Sequence, residues 1–166
     1  MNLNNATELL GMLVLAAAAL GCFEVWRRSG GIWGALAVLY LLLGAEVLLS
    51  GRHLLSGVLR DAVRGSTFYE ERTGVIALLI LALLVGVLVF FCFWLIRRTA
   101  GAPAKLAMLA GLGMVFVFAL ELTSLHRMDA LLYRPAGPVF AVGWLWAGLS
   151  GITVIAALWA SVRAGR

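Results

Sequence analysis

The chain has 166 residues, 63% of them hydrophobic, and a mean hydropathy of +1.03. Soluble domains are nearer half apolar, so a water-soluble globule is excluded and the excess must face lipid. The net charge of +5 does not point to nucleic acid, because the basic residues sit in the gaps between apolar runs, where membrane proteins keep them.

The composition and run lengths predict an all-α polytopic membrane protein. Five transmembrane helices are expected, with a short interfacial amphipathic helix between the second and third. The whole of 1–166 is expected to form a single transmembrane domain.

The first span is expected over 7–26. Its start, MNLNNATELL, has no basic residue and carries Glu8, so no cleavable signal peptide is expected. Arg27 and Arg28, followed by Ser29-Gly30-Gly31, close the span. Glu24 lies three and four residues before these arginines, on the same helix face, which predicts a local ion pair at the interface. Cys22 in this span and Cys92 in the third both lie in apolar runs. They form no CxxC, so no zinc site or redox dithiol is signalled, and both read as small buried hydrophobes.

The second span is expected over 32–50. Glu46 lies roughly 9 Å below Arg52 at 1.5 Å per residue, a costly depth for a carboxylate, so it should face other helices rather than lipid. Ser50 and His53 follow at i+4 and i+7 on the same face.

The segment 51–72 is the longest polar interruption. Its apolar residues Leu54, Leu55, Val58, Leu59, Ala62 and Val63 recur with helical period. Arg52, Ser56, Arg60 and Arg64 recur every four residues on the other side, the pattern of an amphipathic helix.

The third span, 73–96, carries no charge. Pro103 and Lys105 mark the start of the fourth, 104–125. In that span Glu121 precedes Arg127 by six residues, as Glu46 precedes Arg52, so the two carboxylates are expected at matching depth under one surface. The run Tyr133-Arg134-Pro135-Ala136-Gly137-Pro138 turns the chain into a fifth span, 138–162. There Gly143, Ala147 and Gly151 stand at four-residue spacing, which allows two helices to approach closely.

Five crossings put the termini on opposite sides. One side carries Arg27, Arg28, Arg97, Arg98, Lys105, Arg163 and Arg166 in very short segments adjoining span ends. The positive-inside rule then places the C-terminus in the cytoplasm and the N-terminus outside, in the cell inner (plasma) membrane. Trp26, Trp33, Trp94 and Trp159 are expected in the inner aromatic belt, with Tyr69, Tyr133, Trp144 and Trp146 in the outer one.

Both histidines and the mixed-charge loops converge on the non-cytoplasmic surface, so a site is expected there. Glu46 and Glu121 are the candidate acid/base pair. Arg52, Arg60, Arg64 and Arg127, with Ser50 and Ser124, are candidates to bind an anionic, lipid-like or redox ligand, since guanidinium groups match phosphate in a bidentate fork. His53 and His126 are the candidate metal or haem ligands, although no HxxxH, ExxH or CxxCH is present.

The expected function is a small membrane protein, a subunit of a larger assembly, with this polar Glu/His/Arg site. Its expected partners are the bilayer and other membrane subunits or copies of itself, with no nucleic acid. A haem- or metal-binding redox protein using the two histidines is one alternative. A proton-coupled small transporter using the two glutamates is another. The sequence itself names no cofactor, and it is compatible with either an enzyme or a non-catalytic subunit.

Overall fold

A computed structural model describes residues 3–49, 86, 101–123 and 130–164. In chain order these form α1 (Leu3–Ser29), α2 (Ile32–Leu49), α3 (Ala102–Thr123), the strand pair β1 (Pro135–Ala136) and β2 (Val139–Phe140), and α4 (Ala141–Ala164). All four helices are long and apolar enough to cross a bilayer. The qualifying stretches are Ala6–Ser29, Ile32–Leu49, Ala102–Glu121 and Ala141–Arg163, with mean hydropathies of 1.8 to 2.1. Leu13, Leu20, Leu42, Leu49, Leu109, Ile155 and Leu158 project outward, each more than half exposed. Such a surface suits acyl chains, not water. The amphipathic helix expected over 51–72 lies outside the described residues. So does the third span over 73–96, apart from Gly86, which is helical.

Sequence chemistry explains the joints. α1 runs three residues beyond its expected end, carrying Arg27 and Arg28 in its last turn. The Ser29 hydroxyl donates to the Val25 carbonyl at 2.8 Å, and the Gly30 N–H donates to the Trp26 carbonyl at 2.8 Å. Gly30 and Gly31 have φ of 64° and 69°, left-handed values that glycine adopts without strain. They alone link α1 to α2, so the two helices form a tight antiparallel hairpin. The expected Glu24 pair is present: its Oε1 accepts from Arg28 Nη2 at 2.6 Å and from Nε at 3.0 Å. Both partners are well exposed, so the pair adds little stability.

At the other end, the turn before α4 is a small β-hairpin rather than the start of a helix. Pro135 pairs with Phe140 and Ala136 with Val139. Gly137, at φ 79°, and Pro138 occupy its tip, the φ pattern of a type II′ turn. The final helix therefore begins at Ala141, three residues later than expected. The hairpin is fastened at three points. The Trp144 indole N–H donates to the Ala136 carbonyl at 2.8 Å, and the Ala141 N–H to the Arg134 carbonyl at 3.0 Å. The Phe140 N–H donates to Thr7 Oγ1 in α1 at 3.0 Å.

α1 and α4 lie side by side and parallel: a Cβ on Gly143, Gly11 or Gly21 would meet Thr7, Trp146 or Ala157 respectively. α2 runs antiparallel to α1, with Gly34 under Trp26 and Gly44 facing Leu15. α3 runs antiparallel to α4, with Gly113 against Leu149 and Phe118 stacked on Trp146. These three interfaces are extensive, whereas α2 meets α3 more lightly, where Leu36 and Leu39 cover Gly111. Ala18, Ala19 and Cys22 are small and buried, which lets the backbones close in.

Two expectations are corrected. Trp146 does not stand in an aromatic belt; it is 1% exposed, lying flat on Gly11, where a Cβ would fall 2.6 Å from the ring. Trp33 is likewise buried, whereas Trp26, Trp144 and Trp159 are exposed, as interfacial tryptophans are. Of the two glycines in the small-residue stripe, Gly143 meets Thr7 of α1, whereas a Cβ on Gly151 would touch nothing among the described residues.

Two predictions follow from these packings. Alanine at Gly30 or Gly31 should each cost about 1 kcal/mol, because a Cβ is strained at positive φ; equilibrium unfolding in mixed micelles measures it. Gly11→Leu should cost about 1–3 kcal/mol by displacing the indole. Combined with Trp146→Ala, which vacates that space, its penalty should shrink by about 1 kcal/mol or more in a double-mutant cycle.

Candidate functional site

The bundle has two chemically distinct ends. Thr7, the strand pair and the start of α4 mark one, the hairpin end. The α1–α2 link, the start of α3 and the end of α4 meet at the other, the arginine end. Glu46 and Glu121 both lie in the half nearer the hairpin end, since α2 and α3 each run toward it.

Their surroundings follow from helical period. Glu121 stands three residues after Phe118 on the buried face of α3 and is 9% exposed. Glu46 continues the stripe Leu39, Leu43, Glu46 on α2, at i, i+4 and i+7. Leu39 meets Gly111, so this stripe flanks α3, and Glu46 is half-buried there. Oε2 of Glu46 and Oε1 of Glu121 are both withdrawn from solvent. Their relative height can be counted in two ways at 1.5 Å per residue. From the Leu36/Leu39–Gly111 contact the two differ by no more than about 5 Å. Through Gly44–Leu15 on one side, and Gly11–Trp146–Phe118 on the other, Glu121 stands about 8 Å nearer the hairpin end. Helix tilt separates the two counts; both keep the carboxylates within two helical turns of one another in height.

Below Glu121, α4 carries a buried polar stripe that the sequence reading passed over. Trp146, Ser150 and Thr153 stand at i, i+4 and i+7, and each is at most 1% exposed. The Tyr40 hydroxyl from α2, fully buried, lies 2.6 Å from Thr153 Oγ1. Thr153 Oγ1 also lies 3.2 Å from the carbonyl of Leu149, one turn earlier. When the threonine donates to that carbonyl, the tyrosine donates to the threonine, and both protons are used. Ser150 Oγ is buried without a hydrogen-bond partner among the described residues. The signal was available: polar residues at i, i+4 and i+7 in an apolar 24-residue helix mark an inward face.

The remaining candidates, Ser50, Arg52, His53, Arg60, Arg64, Ser124, His126 and Arg127, lie outside the described residues. Among the described residues, no three His, Cys, Asp or Glu side chains gather as a metal site would require. Cys22, the described cysteine, is a buried free thiol in the helix core. The chain matches no known protein family, no characterised protein and no solved structure.

The tyrosine–threonine bond makes an asymmetric prediction. Tyr40→Phe leaves Thr153 its own carbonyl and should cost about 0.5–1 kcal/mol. Thr153→Val, similar in shape, strips a buried phenol of its partner and should cost more, about 1–3 kcal/mol. Thermal unfolding of the two variants in detergent measures the order; the reverse order would contradict the assigned donor directions.

Proposed function

We propose that this small membrane protein is a subunit of a larger membrane assembly, and that its hairpin end binds a lipid-like or redox ligand through Glu46 and Glu121. The single observation carrying this reading is that two carboxylates from separate crossings occupy the same half of the bundle, each with an oxygen withdrawn from solvent. Ionisable groups at such depth are costly, and membrane proteins keep them where a ligand or ion makes use of them. The arginines at 52, 60, 64 and 127, with Ser50 and Ser124, follow closely in sequence and supply the charge to hold an anionic group. His53 and His126 are the proton carriers or metal ligands of the same rim.

A fifth crossing and an outward-facing hairpin end belong to this reading. α2 finishes at the hairpin end and α3 begins at the arginine end, so the chain joining them starts on one side and arrives on the other. The described arginine end carries Arg27, Arg28, Lys105 and Arg163, which under the positive-inside rule makes it the cytoplasmic one.

The test is to purify the full chain from its membrane in a mild detergent and identify what accompanies it by mass and ultraviolet–visible spectra. The unsubstituted protein should retain a lipid, quinone-like molecule or partner subunit. Glu46→Gln with Glu121→Gln should lose the small ligand while keeping the melting temperature within a few degrees. Undiminished ligand in that double variant would refute the site, and a Soret band would reassign the histidines to haem.

A further inference from the structure

The arginine end holds a cavity of about 390 Å³ that the foregoing reading does not use. It lies within the range of small-ligand sites, about 300–1,000 Å³. It is an open cleft lined by three separate parts of the chain: the α1–α2 link with Ile32 and Trp33, the start of α3 at Gly101, Pro103 and Ala104, and Ala160 and Arg163 of α4. The lining is mainly apolar, with one cation on its wall.

That cation is exposed and stands over a neighbouring ring of its own helix. The Arg163 guanidinium sits 4.6 Å from the centroid of the Trp159 ring, within cation–π range of about 6 Å. Stacking of this kind leaves the five N–H donors of the fork available. Arg163 makes no hydrogen bond or ion pair among the described residues. Arg27 and Arg28, by contrast, share Glu24. The described charges at this end are thus Arg27, Arg28, Lys105 and Arg163 against Glu24, a balance of +3.

The cavity is also bordered by the N-termini of two long helices, α2 and α3, and neither has an acid in its first turn. The helix dipoles add partial positive charge on the same side as the guanidinium, more from α2 than from α3, where Pro103 has no N–H and the Lys105 N–H donates to the Gly101 carbonyl at 3.3 Å. A mainly apolar cleft at a helix-terminal end of the bundle, with an arginine unpaired and no acid on its wall among the described residues, fits a phosphate ester whose remainder is oily.

We infer that this cavity is an anion site for a phosphate ester, and that an anionic phospholipid headgroup fills it, held by Arg163. The site stands apart from the hairpin-end reading and survives that reading's failure.

Native mass spectrometry of the full-length protein, with phosphatidylglycerol or phosphatidylcholine added to the micelles, tests this. The unsubstituted protein should retain phosphatidylglycerol at least tenfold better than phosphatidylcholine. Arg163→Gln should lower phosphatidylglycerol retention about tenfold. Ala102→Glu puts an acid where it favours the helix dipole, so the protein still folds, yet it should repel the headgroup and lower retention comparably. Arg134→Gln, which removes an equal charge at the hairpin end, should leave retention unchanged. If low-millimolar inorganic phosphate displaces the lipid, phosphate chemistry holds and the soluble ion is the ligand. Equal retention of the two lipids, or equal losses in Arg134→Gln and Arg163→Gln, would overturn the proposal.

Discussion

Trp146 holds the bundle together. Its ring lies on the bare backbone of Gly11 in α1, stacks on Phe118 of α3 with centroids 5.5 Å apart, and belongs to α4. One side chain therefore joins three of the four described helices. In lipid this matters more than it would in water. Acyl chains are as apolar as leucine, so helices associate through close fit and polar bonds, not by escaping solvent. A flat indole against glycine supplies the fit. The Tyr40–Thr153 bond supplies the polar link that brings in the remaining helix.

That arrangement also sets where polar groups can be tolerated. Trp146, Ser150 and Thr153 form one inward face of α4, and the outward faces of the four helices are leucine, isoleucine, valine and phenylalanine. A backbone in the hydrocarbon core must satisfy its own hydrogen bonds, and among the described residues the irregular structure lies at the helix ends. The glycine link closes one end and the strand pair with its Gly137-Pro138 tip closes the other. The result is a polar asymmetry along the bundle axis. The carboxylates of Glu46 and Glu121 lie in the half nearer the hairpin end, and the arginine end has a guanidinium, unpaired among the described residues, beside an open cleft. Each end has its own chemistry because different helix termini meet there.

Much of this was legible in residue order. The four described helices cover the apolar runs expected of them, because length and hydropathy suffice to define a membrane helix. The Glu24–Arg28 pair was readable because i, i+4 neighbours must meet on any helix. The glycine pair at 30–31 was readable as a stop because left-handed backbone suits glycine. The candidate site was less legible. Glu46 and Glu121 stand out by their charge, but their relative height also depends on how α2 and α3 tilt across one another, which residue spacing does not record.

Sequence alone therefore determined that the chain has helices fit to cross a membrane, roughly where the described ones run, and which polar side chains interrupt them. These are local properties: they follow from hydropathy summed along a helix and from the fixed rise and turn of its backbone. Only the tertiary structure decided that Trp146 is core rather than belt, that Ser150 and Thr153 face inward, and that three distant helix ends line one open cleft with Arg163 at its edge. Each of the four described helices is apolar on nearly all sides, so periodicity carries almost no record of which face meets a neighbour. That choice is made by shape, glycine against indole and small residues against backbone, between segments more than a hundred residues apart.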